Sequence, residues 1–188
     1  LNAAKQTGAD WIVLCDTNGG TQYDDIKERV RETKNRVVGV RFGIHPHDDC
    51  DYSTTIAMEA VKEGFEMVQG VTPGYGERTG NLNLITFIVN ALKRKYKTVG
   101  GIDLSQFTSL YNFICDVANV PYNPKMHFVG RDPPTHKAGL HTSAVLKDPT
   151  LYEHMDPAIV GNRRRFVVSD LAGASNIEAE LEIDRRDP

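Results

Sequence analysis

The sequence predicts an α/β fold of parallel strands, either a doubly wound sheet or part of a (β/α)8 barrel. Apolar runs typical of strands buried on both faces alternate with segments whose apolar spacing is typical of amphipathic helices. The order repeats at roughly 25–30-residue intervals, the spacing of βα units. Three such units precede residue 104, whereas a complete barrel needs about eight, so a barrel of this sequence is a partial one.

The first βα unit begins with the apolar run at residues 11–15, which predicts a buried strand, and continues into the polar turn at residues 16–20. Residues 21–36 are charged with Ile26 and Val30 four apart, which predicts an amphipathic helix with Thr21 as its N-cap. Residues 1–7 resemble the end of an earlier helix.

The second and third units repeat this order, each with a strand, a polar loop and a helix. In the second βα unit we predict the strand at residues 37–44, the polar loop at 45–49 and the helix at 54–64. In the third βα unit we predict the strand at residues 65–71, the loop at 73–81 and the helix at 82–96.

The pattern changes after Gly101. We predict a helix at residues 104–120 and a proline-broken extended stretch at residues 121–134. Short helices follow at residues 135–161, then a short strand at residues 166–168 and a charged tail at residues 178–188. The chain is therefore expected to form two domains. Residues 1–103 form the C-terminal part of a barrel, and residues 104–188 form a mainly helical subdomain.

Composition excludes several classes of protein. The 188 residues are 40% hydrophobic and 25% charged with a net charge of −3, which fits a globular protein without a broad basic surface for nucleic acid or anionic lipid. No apolar run approaches the ~18 residues of a membrane span. The three cysteines are widely spaced and odd in number, so neither a disulfide framework nor a thiolate zinc pair is expected, and a reducing cytoplasm fits best.

His45 and His47 are the strongest candidates for a metal site. Residues two apart on a strand project from the same face, and catalytic groups of barrels collect at the carboxyl ends of the strands. Two imidazoles placed there suit a divalent metal, although two histidines that only form hydrogen bonds at a strand end remain the alternative. Asp48 and Asp49 follow directly and either orient the imidazoles or support and cap the next helix.

The neighbouring loops carry similar candidates. Thr17, after the first strand, offers a hydroxyl and backbone amides to a substrate carboxylate, or belongs to a simple turn that uses the glycines at 19–20. The loop 74–81 contains three glycines and ends in Asn81, which either approaches a metal or caps the following helix.

The sequence resembles the isopropylmalate, homocitrate and citramalate synthases over nearly its whole length, and the citramalate branch most closely. The motifs that carry the resemblance are DTNGGT at 16–21, GIHPHDD at 43–49, GYGERTGN at 74–81, HKAGLH at 136–141, AVLK at 144–147, YEHMDP at 152–157 and VGNRRR at 160–165. The resemblance implies the C-terminal βα units of a TIM barrel, followed by a post-barrel segment that contributes to an acetyl-CoA site.

The resemblance also implies an acyltransferase that condenses acetyl-CoA with pyruvate to citramalate and CoA, in isoleucine biosynthesis, as a homodimer. It implies a divalent metal, Mg²⁺ or Mn²⁺ with Zn²⁺ as a further candidate. At matched positions it assigns the metal to His45, His47 and Asn81, the oxo-acid carboxylate to Thr17, the acetyl-CoA end of the site to His141, and a supporting role to Tyr152.

This sequence departs from the family pattern in ways that leave alternatives open. Asp48 stands where most members have Asn, Thr79 stands where the citramalate branch usually has Cys, and residues 133–134 are two prolines. No segment matches the family's first-strand Arg and metal-binding Asp, or its catalytic Glu. Another 2-oxo acid as substrate and a non-catalytic half-barrel module are the two alternatives.

Overall fold

The computed structural model describes residues 1–95 and 101–167, together with residues 177 and 181. The chain divides into two compact units, Leu1–Ile102 and Asp103–Pro188, called the first and second unit below. None of the described helices is both long and apolar enough to cross a membrane.

The first unit alternates helices and strands, as predicted. Its elements are α1 (Asn2–Gln6), β1 (Trp11–Asp16), α2 (Tyr23–Arg36), β2 (Arg41–Pro46), α3 (Ser53–Lys62), β3 (Met67–Val68) and α4 (Leu84–Lys93). The three strands form one sheet in the order β1-β2-β3, and both pairs of neighbours are parallel. The prediction of parallel βαβ units is thereby confirmed.

The core of this unit lies between the sheet and its helices. On α2, Ile26 and Val30 are both buried, because residues four apart lie on the same face of a helix. The Phe42 ring on β2 stacks on the Phe65 ring with centroids 5.4 Å apart. The other buried members of this core are Ile12, Val37, Ile44, Ile56, Ala57, Ala60, Leu82, Phe87 and Ala91.

Several predicted boundaries were wrong. Thr21 is not the N-cap of α2, because the helix begins at Tyr23 after Gln22. The second strand begins at Arg41 rather than residue 37, because Val37 still caps the carboxyl end of α2 and Gly39 turns the chain with a φ of 76°. The strand predicted at residues 65–71 is only two residues long, Met67–Val68, and Phe65 packs in the core before the strand begins.

The last helix of the first unit begins two residues later than predicted. The Asn83 side chain accepts a hydrogen bond from the Ile85 amide at 3.0 Å and so caps α4. Leu82 instead donates its amide to the Pro46 carbonyl at 3.1 Å and extends the sheet. The predicted end of this helix, Tyr96, lies outside the described residues.

The second unit is mainly helical. It contains α5 (Phe107–Ala118), β4 (Thr135–His136), α6 (Gly139–Lys147) and β5 (Arg165–Phe166), with 3-10 helices at Leu104–Gln106, Pro149–Leu151 and Pro157–Val160. β4 and β5 pair in parallel. The predicted helix 104–120 is shorter because Asn119 adopts a left-handed φ of 51° and ends it. Val168 and the predicted tail 178–188, apart from residue 181, lie outside the described residues.

Candidate active site

Three loops meet at the carboxyl end of the sheet in the first unit. The parallel register places the last residues of β1 beside those of β2, with Cys15 opposite His45. The His47 amide donates to the Asp16 carbonyl at 3.2 Å, which joins the first two loops. The loop after β3 folds back on the second, where the Asp48 amide donates to the Gly80 carbonyl at 3.0 Å.

This arrangement brings His45, His47 and Asn81 together. The two imidazole centroids are 5.5 Å apart, and His47 forms an antiparallel bridge with Asn81. Side chains of residues bridged in this way are close neighbours on the same face. Asn81 is thus a partner of His47 and not the cap of α4, so the capping alternative for Asn81 was wrong.

Two polar atoms at this position lack a partner. Among the described residues, neither the buried His47 Nδ1 nor the buried Asn81 Oδ1 has a hydrogen-bond partner. A buried polar atom left unpaired costs roughly 1–3 kcal/mol, so both atoms fit a bound group that supplies the missing interaction. The described part of the chain contains no cluster of three or more His, Cys, Asp and Glu side chains suited to a metal. The three residues that the sequence predicted as ligands offer two imidazoles and one amide oxygen.

The two aspartates after His47 have different partners. The Asp48 carboxylate accepts a hydrogen bond from the amide of Ser53, the first residue of α3, at 3.0 Å. It thereby satisfies one of the free amides at the start of that helix, although the N-cap position itself is Tyr52. Asp49 instead forms a two-point ion pair with Arg78, with Nε–Oδ1 and Nη2–Oδ2 distances of 2.7 and 2.8 Å. The hydrogen bonds from Arg78 hold the pKa of Asp49 below its ordinary value.

Arg78 also ties the third loop to the first. Its Nη2 donates to the Thr17 carbonyl oxygen at 2.7 Å. The same guanidinium therefore fixes Thr17, on the loop after β1, and Asp49, on the loop after β2. We did not predict this contact from the sequence, although the charged pair at residues 77–78 in a glycine-rich loop was the available signal.

A cleft of about 1010 Å³ opens beside these loops. Thr17, Asp49 and Arg78 line it together with residues of β1 and α2, whereas His45, His47 and Asn81 are outside its described lining. Thr17, which is exposed, is thus accessible from the cleft. The candidate substrate residue, Thr17, is exposed, whereas the three candidate metal residues are only partly exposed.

Gly80 makes the close approach of the third loop possible. Its φ is 112°, and a Cβ added there would lie 2.1 Å from the Gly74 carbonyl oxygen. We expect Gly80→Ala to destabilise the first unit by about 2–4 kcal/mol, because a positive φ and a steric clash both disfavour alanine. Urea unfolding measures this change.

Gly8→Ala is the matched control for Gly80→Ala. Gly8 also has a positive φ, 90°, but nothing lies within 4 Å of the added Cβ. The control is expected to lose about 1–2 kcal/mol. Equal losses in the two variants would show that the packing of Gly80 against Gly74 is unimportant.

The second unit brings together the two other candidate residues. His141 lies in the first turn of α6, and Tyr152 follows the 3-10 helix Pro149–Leu151. The two ring centroids are 4.2 Å apart with an interplanar angle of 33°. Both side chains are exposed, so this pair of tilted rings is accessible to a ligand.

A buried ion-pair network adjoins this pair of rings, and we did not predict it from the sequence. The Glu153 carboxylate accepts hydrogen bonds from Arg164 Nε at 2.6 Å and from His136 Nε2 at 2.9 Å. The side chains of His136 and Glu153 are each only 8% exposed. Burial by itself raises the pKa of Glu153, but the hydrogen bonds from Arg164 and His136 outweigh it and lower that pKa.

The lowered pKa of Glu153 predicts how the stability of the second unit depends on pH. A carboxylate whose pKa is lower in the folded chain contributes stability above its unfolded pKa, close to 4.5, and this contribution is lost as pH falls. We therefore expect the difference in free energy of unfolding between wild type and Glu153→Gln to shrink steadily below that pH. Urea titrations at several pH values measure it, and a constant difference would contradict the assignment.

Comparison with known proteins identifies both parts of the chain. The HMGL-like family model matches residues 1–114, and the model described as homocitrate synthase post-HMGL domain-like matches residues 128–184. The chain is 43% identical over its full length to the (R)-citramalate synthase of Aquifex aeolicus and 42% identical to that of Geobacter sulfurreducens. It spans about 37% of the length of each of these relatives.

Solved structures agree on the fold. The Bacillus subtilis HMG-CoA lyase superposes with a TM-score of 0.58 at 18% identity, over 64% of this chain and 42% of the lyase. The parallel βα units of the first unit are thus part of a TIM-type barrel, as predicted. The 2-isopropylmalate synthase 2 of Caldanaerobacter subterraneus is 35% identical over 92% of this chain and 44% of that protein. The chain belongs to the HMGL-like family, in the group that contains the citramalate and isopropylmalate synthases.

Proposed function

We propose that the chain is part of an acyltransferase that condenses acetyl-CoA with pyruvate to give citramalate and CoA. The observation that carries this proposal is the pair of unpartnered buried atoms, His47 Nδ1 and Asn81 Oδ1, at the carboxyl end of a barrel sheet. The likeness to (R)-citramalate synthases over the full chain supports pyruvate as the oxo acid.

A divalent metal is the group that these residues suit. His45, His47 and Asn81 would hold it with two nitrogen ligands and one oxygen ligand, a donor set compatible with Mg²⁺, Mn²⁺ or Zn²⁺. When bound, the metal supplies a Lewis acid for the 2-oxo carbonyl group. Asp48 binds the Ser53 amide at the start of α3, so we assign a structural role to the carboxylate that replaces the family's usual Asn.

Thr17 is assigned to the carboxylate of pyruvate. Its side chain is exposed towards the cleft, and its backbone is held by Arg78 and by the neighbouring Asp16–His47 hydrogen bond. The same Arg78 also forms an ion pair with Asp49, so one guanidinium joins the first loop to the second. We infer that these contacts hold Thr17 in place relative to the loop of His47 before the substrate binds.

His141 is assigned to acetyl-CoA, with Tyr152 supporting its ring. A proton leaves the acetyl methyl group and is accepted by an imidazole nitrogen of His141. The methyl carbon then forms a bond to the 2-oxo carbon of pyruvate, whose oxygen takes up a proton. Water finally cleaves the thioester, which gives the second carboxylate and the CoA thiol.

Two alternatives from the sequence remain to be tested. One is a synthase of the isopropylmalate or homocitrate type that uses another 2-oxo acid, which the 35% identity to a 2-isopropylmalate synthase keeps relevant. The other is a half-barrel module that binds a partner without catalysis. A homodimer, a cytoplasmic location and a role in isoleucine biosynthesis remain predictions.

Release of the CoA thiol separates these possibilities. The full-length protein that contains these residues is assayed with acetyl-CoA, Mn²⁺ and either pyruvate, 2-oxoisovalerate or 2-oxoglutarate. We expect release with pyruvate and little with the other two acids. Preference for 2-oxoisovalerate would identify an isopropylmalate-type enzyme instead. An absence of release with all three acids, together with no Mn²⁺ binding, would favour the non-catalytic module.

A further inference from the structure

The buried network of Glu153, His136 and Arg164 lies between the two segments that carry His141 and Tyr152. His136 belongs to β4 and precedes α6, the helix of His141, by only three residues. Glu153 directly follows Tyr152. One hydrogen bond, from His136 Nε2 to Glu153 Oε1 at 2.9 Å, therefore joins the two segments next to the His141 and Tyr152 rings.

The surrounding backbone anchors the network on each side. β4 pairs with β5, so that His136 lies opposite Phe166, and their rings are 5.9 Å apart. Arg164 immediately precedes β5 and binds both oxygens of Glu153. The carboxylate is thus held from β4 and from the segment leading into β5, and a buried charge held this way has little freedom to move.

Tyr152 and Glu153 point in different directions from adjacent positions. The Tyr152 side chain is 50% exposed, whereas the Glu153 side chain is 8% exposed. The 3-10 helix before them begins at Pro149, and the carboxylate of its N-cap residue, Asp148, accepts a hydrogen bond from the Thr150 amide at 3.0 Å. Because the Glu153 side chain is held in the interior directly after this helix, the preceding Tyr152 side chain lies at the surface, with its ring against that of His141.

We propose that Glu153 is a positioning residue, which together with His136 and Arg164 holds the Tyr152 ring against His141. The catalytic importance of this contact rests on the proposed function, in which His141 accepts the acetyl proton. The contact itself is independent of that function and is measured without any substrate.

The test uses the ring-current shift that the Tyr152 ring imposes on the His141 Cε1–Hε1 resonance. The resonance is recorded by NMR on the 188-residue chain, and Tyr152→Leu defines its position without the ring. In Glu153→Gln we expect the His141 resonance to lose most of its displacement and approach its position in Tyr152→Leu. The His45 and His47 resonances are expected to stay in place.

Glu63→Gln is the matched control. Glu63 also binds an arginine at two points, with Arg31 Nε–Oε2 and Nη2–Oε1 distances of 2.8 and 2.9 Å, but it belongs to the first unit. This variant removes the same charge and is expected to leave the His141 resonance unchanged. A folded Glu153→Gln chain that retains the wild-type His141 displacement would overturn the proposal.

If Glu153→Gln does not fold, a second variant tests the positioning role of the network. Arg164→Lys keeps the positive charge but removes the two-point geometry, and we expect a partial loss of the His141 displacement. A retained displacement in folded Arg164→Lys would overturn the proposal equally. Loss of the displacement in a protein that releases no CoA would leave the positioning role standing and remove only the proposed reaction.

The kinetic consequence is measured on the full-length protein. Glu153→Gln is expected to lower the rate of CoA release by about 10- to 100-fold, because a small misplacement of a catalytic group is enough for such a loss. Mn²⁺ affinity is expected to stay unchanged, since the candidate metal ligands belong to the other unit. A loss of Mn²⁺ affinity equal to the loss of rate would indicate general unfolding instead.

Discussion

Replacing His47 with alanine is expected to weaken Mn²⁺ binding by at least about 100-fold. Losing a residue that only hydrogen-bonds to a metal ligand typically costs about 10- to 100-fold in affinity, and losing the ligand itself costs more. His47 provides the buried Nδ1 that has no partner among the described residues, and its backbone is bridged to Asn81. The variant therefore removes one ligand and leaves the amide oxygen of Asn81 without its neighbour. Isothermal titration calorimetry with Mn²⁺ measures the change.

His127→Ala is the control for this loss. His127 is exposed and belongs to the second unit, so its replacement tests for non-specific binding of Mn²⁺ to surface histidines. We expect it to bind Mn²⁺ like the wild type, and we expect His45→Ala to behave like His47→Ala. Equal and weak binding by wild type and both active-site variants would contradict the metal site.

Replacing His141 with alanine is expected to slow CoA release by about 10²- to 10⁴-fold, the usual contribution of a general acid or base. The reason is that the proposed acceptor of the acetyl proton is removed. Tyr152→Phe keeps the aromatic ring that lies 4.2 Å from His141, so we expect a much smaller loss.

The assay that tests the His141 prediction is steady-state CoA release by the full-length protein at saturating pyruvate. The control is again His127→Ala, which is expected to retain the wild-type rate. A rate within twofold of wild type in His141→Ala would remove His141 from the proposed mechanism. The same rate loss in His127→Ala would show that the assay responds to general damage.

The order of strands and helices in the first unit was predictable because burial on both faces leaves continuous apolar runs in the sequence. The exact boundaries of the helices were not predictable, because they depend on which nearby side chain binds the free amides at the start of each helix. Asn83 caps α4 with its own side chain, while Thr21 lies near the start of α2 without capping it. Both are good N-cap residues, and sequence alone does not say which backbone amide each one meets.

The candidate site was predictable to a similar extent. The positions of His45, His47 and Asn81 after neighbouring parallel strands predicted that they would lie close together, and the structure brings them together. The partners of the charged residues were not predictable. Asp49 and Arg78 are 29 residues apart and meet only because the glycine-rich loop folds back over the second one.

The partners within the Glu153 network of the second unit were likewise not predictable from the sequence. Its three members are spread over β4, the turn after α6 and the approach to β5. The sequence presents them as separate motifs, HKAGLH, YEHMDP and GNRRR. Only the pairing of β4 with β5 brings His136 and Arg164 to the same carboxylate.

The most direct test of the central claim is the electron paramagnetic resonance spectrum of bound Mn²⁺ during a titration with pyruvate. The claim is that His45, His47 and Asn81 hold a metal beside which Thr17 binds the 2-oxo acid. We predict that pyruvate changes the spectrum of wild type in a saturable manner, and that Thr17→Val requires about tenfold more pyruvate, as expected for one lost hydrogen bond to a charged group. A spectrum that pyruvate leaves unchanged, or that changes equally in His47→Ala, would contradict it.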